Sequence, residues 1–127
     1  MAGIEFRKAH FPGRPPIDAY GNGGFRFADI SHRGSILCLP SGVFGWDAAT
    51  PEDITLASIA AILNETRDID FLLMGTGMAI EPIPLSIKTA LKARRISSDP
   101  MSTGAAVRTY NVMLAEQRAV AAALIAV

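Results

Sequence analysis

The chain ends in nine uninterrupted apolar residues, Ala119 to Val127. A helix needs about 20 such residues to cross a bilayer, so this run is too short to span one. It predicts instead a strand covered on both faces, from Val120 to Val127. Ile36-Leu37-Cys38-Leu39, ended by Pro40, is a second run of this kind, and Ile69 to Met74 (IDFLLM) is a third. A sheet buried on both sides needs a layer on each side.

Helical patterns supply those layers. Thr50 is a good N-cap, Pro51 suits the first helical position and Asp53 the third, so Thr50-Pro51-Glu52-Asp53 resembles a capping box. Leu56, Ile59, Ala60 and Leu63 follow at i, i+3, i+4 and i+7, which predicts one amphipathic helix beginning at Thr50. A second helix is predicted from Leu85 to Arg95. Lys88, Lys92, Arg94 and Arg95 in its last two turns complement the helix dipole, the alternative being an anion-binding surface. Ile96 to Met101 is short and extended. A third helix is predicted from Thr103 to Gln117, with Val107, Tyr110, Met113 and Leu114 on one face. The first third reads as β. Gly21-Asn22-Gly23-Gly24 signals one turn, Phe25 and Phe27 alternate with Arg26 and Ala28, Ser31 to Ser35 signals a second turn, and Val43 to Trp46 is a short strand. The expected fold is a single compact α/β domain, a mixed β-sheet flanked by helices, with an N-terminal antiparallel β portion.

Composition narrows the function classes. With 127 residues the chain has the size of one domain. Twelve Lys+Arg against twelve Asp+Glu argue against a nucleic-acid-coating surface. The single cysteine, Cys38, and two histidines offer neither an internal disulfide nor a structural zinc set. Met1 to Arg14 lacks the apolar stretch of a secretory signal, so a cytoplasmic location is expected. Pro12-Gly13-Arg14-Pro15-Pro16 separates a flexible arm, residues 1–16, from a body at residues 17–127. Arg7, Lys8 and Arg14 beside Phe6 and Phe11 give that arm some docking character. The aromatics Phe6, Phe11, Tyr20, Phe25 and Phe27 could also extend a neighbour's sheet edge and form a homo-oligomer.

Three places could carry chemistry. Gly75-Thr76-Gly77 follows a predicted buried strand, where ligands bind in open α/β sheets. It lacks the third glycine of a dinucleotide fingerprint, since position 80 is Ile, and no Walker lysine follows. A tight turn is the simpler explanation of it. Ser102 or Thr103 opens the third helix, and the amides through Gly104 and Ala105 could hold an anion. Arg108 and Asn111 lie three apart on one shoulder of that helix and could orient a carboxylate or phosphate. Arg108 stands at the wrong end of the dipole, so a partly buried pair with Asp29, Asp47 or Asp70 is the structural alternative. Catalytic triads fare worse. Ser41, Thr76 and Cys38 are the nucleophile candidates and His10 and His32 the bases. Yet there is no Gly-x-Ser-x-Gly elbow, Cys38 reads as an inert buried thiol, and His32 falls in a predicted turn. No residue is assigned as catalytic or metal-binding, and no cofactor is expected.

Met101 to Asn111 (MSTGAAVRTYN), followed by Leu114, Glu116, Arg118 and Val120 to Ile125, resembles the C-terminal signature of one family. Phe25, Gly34-Ser35, Pro40, Trp46 and Gly75-Thr76-Gly77 are similar to that family's upstream features. It is the small α/β domain family of mitochondrial complex I (NADH dehydrogenase) assembly factor 3 and its prokaryotic relatives, and the likeness runs from about Ile17 to Ile125. The resemblance implies a non-enzymatic protein-binding module that aids respiratory complex assembly. The partner it implies is a respiratory complex subunit or a second assembly factor, and the location cytoplasmic or peripheral to the inner membrane. A small-molecule or anion-binding protein, or a hydrolase, with its site between Gly75-Thr76-Gly77 and Ser102 to Ala105, is the alternative. No nucleic acid is expected as a partner.

Overall fold

The computed structural model describes residues 10–65 and 67–127. Its nine strands form two sheets flanked by helices. In chain order they are β1 (His10–Pro12), β2 (Ala19–Gly21), β3 (Gly24–Phe27), β4 (Ile30–Arg33), β5 (Ser35–Leu39), β6 (Gly42–Trp46), β7 (Phe71–Gly75), β8 (Ser97–Met101) and β9 (Val120–Leu124). The helices are α1 (Ala60–Asn64), α2 (Leu85–Ala93) and α3 (Thr103–Ala115). The main sheet is six-stranded and mixed, in the order β1-β6-β5-β9-β7-β8. Strands β7, β8 and β9 run parallel to one another, while the β1, β6 and β5 pairings are antiparallel. A separate antiparallel sheet holds β2, β3 and β4.

The apolar runs lie at the centre, as the pattern requires. Every residue of β5 and of β9 is buried. Alternation divides their side chains between two cores. Leu37, Leu39, Leu72, Met74, Ala121 and Ala123 face Ile59, Ile62, Ile87 and Leu91 on the α1 and α2 side. Ile36, Cys38, Leu73, Val120, Ala122 and Leu124 face Ala106, Val107 and Tyr110 of α3 and Phe25 and Phe27 of the small sheet. Three layers result. The alanines of β9 suit its central place, because small side chains let α3 and α2 approach from both faces.

Two local expectations are corrected. The helix predicted from Thr50 is one 3-10 turn, Pro51–Asp53, and α1 begins only at Ala60. The start signal is present, since Asp53 Oδ2 accepts from the Thr50 and Ala49 amides at 3.1 and 2.9 Å. Propagation fails beyond it. Thr55 and Ser58 bond each other's amides at 2.8 and 3.1 Å, and the Ser58 carbonyl accepts the Trp46 indole N–H at 2.8 Å. Such local bonds compete with the helix ladder. Leu56, assigned to the buried stripe, is 48% exposed.

The second correction concerns the turn predicted at Ser31 to Ser35. The chain reverses earlier, at Ala28-Asp29, whose φ angles of 47° and 62° are left-handed. Strand β4 then carries His32 to the inner face, opposite Phe25. There the ring is buried, not solvated. A glycine was the expected marker of a left-handed turn, and this hairpin manages without one at its reversal. At the N-terminal side, His10–Pro12 pairs with β6, and Phe11 meets the Phe27 ring edge-on at a centroid distance of 6.4 Å. Phe6, Arg7 and Lys8 lie outside the described residues.

Candidate functional site

The end of β7 and the start of α3 meet, as the sequence reading required. Gly75 allows it. A Cβ there would stand 3.0 Å from the Thr103 Cα and 3.0 Å from the Leu124 side chain. Without one, the first turn of α3 sits directly on the strand end. The Thr103 hydroxyl then accepts from the Gly77 amide at 3.0 Å and donates to the Ile125 carbonyl at 2.7 Å. The Thr103 amide returns a bond to the Gly77 carbonyl at 2.8 Å. Thr76 works alike. Its hydroxyl accepts from the Glu81 amide at 3.0 Å and donates between the carbonyls of Ala79 and Met101 at 2.7 and 3.0 Å.

These polar groups satisfy one another. Thr103 and Thr76 are buried, and burying them unpaired would cost about 1–3 kcal/mol apiece. Ser102 caps α3, accepting from the Ala105 amide at 3.4 Å. Gly104 leaves room for a side chain from the small sheet, since a Cβ there would lie 2.5 Å from the Tyr20 hydroxyl oxygen. Asn111 is engaged elsewhere. It accepts from the Ile17 amide at 2.9 Å and donates to the Ile17 carbonyl at 2.8 Å, pinning the segment before β2 to α3. Arg108 is exposed and shows no hydrogen bond or ion pair among the described residues. The partly buried pair with Asp29, Asp47 or Asp70 is therefore not formed. The structure thus brings Gly75, Thr76, Gly77, Ser102, Thr103 and Gly104 together and leaves Arg108 and Asn111 to one side.

Of the nucleophile and base candidates, Cys38 and His32 lie on different strands, β5 and β4, while Ser41 and Thr76 lie in loops. Cys38 lies in β5 against Tyr110, and burial pushes its thiol pKa up to about 12. Tyr110 is 1% exposed, and burial also raises its pKa. Ser41 is engaged by Glu65, which accepts its hydroxyl at 2.5 Å and its amide at 2.7 Å. The His32 Nδ1 is buried and has no partner among the described residues. Burial pushes its pKa below 6.5, with the Ser35 backbone hydrogen bond working the other way. Among the described residues no three His, Cys, Asp or Glu side chains are grouped to hold a metal. None of their helices is long and apolar enough to cross a membrane.

A concave region lies at the basic end of α2, where the sequence favours the helix dipole over an anion-binding surface. It lies between α2 and β8, has a volume of about 690 Å³ and is lined by Lys88, Lys92 and Arg95. Their i, i+4, i+7 spacing puts these cations on one face of the helix, which the dipole by itself does not require.

Residues 17–125 match a family described as "Protein of unknown function (DUF498/DUF598)", and the chain belongs to that family. It is 38% identical to an uncharacterised protein of Rhodobacter capsulatus over 119 residues, 94% of this chain and 90% of that one. It is 29% identical over 122 residues to NADH dehydrogenase [ubiquinone] 1 alpha subcomplex assembly factor 3 of Mus musculus, covering 96% of this chain. The chain spans 66% of that mouse protein's length. Among solved structures, a protein described as an outer membrane protein from Bartonella henselae is 60% identical with a TM-score of 0.89, covering 92% of this chain and 98% of that one. The expected relationship to complex I assembly factor 3 and the expected α/β class both hold.

Proposed function

We propose that this protein is a non-enzymatic protein-binding module that aids assembly of a respiratory complex, acting in the cytoplasm or peripherally at the inner membrane. The observation that carries this reading is the likeness to assembly factor 3 over 96% of the chain. The β7–α3 junction adds support, because the hydroxyls of Thr76 and Thr103 are occupied in holding the fold. The partner in this reading is a respiratory complex subunit or a second assembly factor. Affinity capture from cells with and without complex I subunits tests it. Enrichment of a respiratory subunit or assembly factor is the expected result, and its absence sinks the reading.

One observation favours a second reading, small-molecule or anion binding beside the start of α3. Arg108 is exposed near that helix start without an acidic partner among the described residues. Isothermal titration with phosphate and acetate separates the two. Binding lost in Arg108→Ala with unchanged melting supports a ligand site, and no heat with either anion removes it.

A further inference from the structure

We propose that the groove between α2 and β8 seats an extended acidic segment of a partner protein. The proposal rests on the protein-binding reading and gives it a surface and a chemistry. One wall is helical. Leu85, Lys88, Lys92 and Arg95 form a single stripe, all exposed, with Leu85 at 79%. The three cations have neither an ion pair nor a side-chain hydrogen bond among the described residues. Arg94, by contrast, turns away and donates to the Leu63 carbonyl at 3.0 Å. Buried Ile96 provides an apolar floor.

Arg95 is conspicuous in its backbone. α2 ends in a Schellman motif, with the Ile96 amide on the Leu91 carbonyl at 3.0 Å and the Arg95 amide on the Lys92 carbonyl at 2.9 Å. Arg95 occupies the left-handed position of that motif, at φ 62°, where glycine carries no penalty. An arginine there tolerates strain that a glycine would relieve, and it places a third cation on the groove.

The other wall is the open edge of the six-stranded sheet. Ser97 donates to the Asp70 carbonyl at 2.9 Å and Met101 accepts from the Thr76 amide at 2.8 Å, so odd-numbered residues of β8 turn their backbone groups towards β7. Ser98 and Pro100 therefore face outward, and Pro100 has no N–H to offer. This edge presents one amide donor, too few for a long ladder. Charge and apolar contact must dominate, which selects acidic side chains interspersed with apolar ones. The one acid of β8, Asp99, also lines the groove, and against Lys88, Lys92 and Arg95 it leaves the lining net positive. The surface is a furrow rather than a protruding plane, so it fits a polypeptide better than a bilayer.

The test titrates the full ¹⁵N-labelled chain with a short peptide alternating glutamate and leucine. Two parallel arms use the same peptide with lysine for glutamate, and phosphatidylcholine vesicles containing phosphatidylglycerol. Expected are amide shifts confined to α2 and β8 with the acidic peptide, weakening as salt rises. Lys88→Glu/Lys92→Glu/Arg95→Glu should reduce that affinity by at least about tenfold, the scale of three exposed ion pairs together. Arg95→Gly should weaken binding while raising the melting temperature, which a merely structural role for Arg95 would not produce. Equal affinity for the basic peptide, shifts elsewhere, indifference to the charge reversal, or binding to vesicles alone would each overturn the proposal. Affinity capture with the charge-reversed chain keeps the two claims apart. Respiratory partners retained by that variant sink the groove and spare the function. No respiratory partner for the wild type, with the peptide still seated, sinks the function and spares the groove.

Discussion

The β7–α3 junction and the α2–β8 groove lie near opposite ends of one crossover, and both are rich in groups that could bind something. At the junction, Thr76 and Thr103 each make bonds in two directions and are buried. Along the groove, Lys88, Lys92 and Arg95 are exposed and without partners among the described residues. The difference teaches that polar density does not identify a site. A polar group inside the fold must find a partner within the chain, because leaving it bare costs more than the bond returns. A cation in water carries no such obligation and stays available.

The strongest way to break this contrast is Thr103→Val. It keeps the volume but orphans the Gly77 amide and the Ile125 carbonyl. A loss of about 3 kcal/mol in urea unfolding is expected, from two buried groups at roughly 1–3 kcal/mol each. A change near zero would mean that the junction is not structural. Gly75→Ala comes next. Its Cβ would press on Thr103 and Leu124, and overpacking of this kind costs about 1–3 kcal/mol. Amide shifts spreading through the first turn of α3 would accompany the loss.

His32 sharpens the comparison through pH. Its folded pKa is depressed below 6.5, so the unfolded chain binds more protons as pH falls below that value. Its contribution is complete above 6.5 and is lost as pH falls through the folded pKa. Melting temperature should decline between neutral and mildly acidic pH, and His32→Leu should flatten the decline. An identical slope in the variant would assign it to other groups. The smallest effect belongs to the groove. Lys88→Glu/Lys92→Glu/Arg95→Glu should leave stability within about 0.5 kcal/mol per site, as exposed positions do. A large loss in calorimetry would show that these cations hold the fold after all.

Some of the fold was legible in local pattern. The runs at Ile36 to Leu39 and Val120 to Val127 announced strands covered on both faces, and β5 and β9 are such strands. The Ser102-Thr103 helix start is α3's own. The Thr50 signal shows the limit, because a capping box starts a helix but cannot extend it against the Thr55–Ser58 bonds and the Trp46 indole. His32 was misplaced because nothing in Ala28-Asp29 resembles a left-handed turn. Of the candidate site, the meeting of Gly75-Thr76-Gly77 with Ser102 to Gly104 was visible. The engagement of Asn111 by Ile17 was not, since the two are far apart in the chain.

Short-range order was in the chain from the outset: which segments are extended, which coil, and that three apolar runs need cover on both sides. Those properties depend on residues a few places apart, where periodicity and capping act. Partnership was decided only on folding. Whether the hydroxyl of Thr103 or the ammonium of Lys92 is free depends on what a distant segment brings beside it, and burial compels the first to pair while water leaves the second alone.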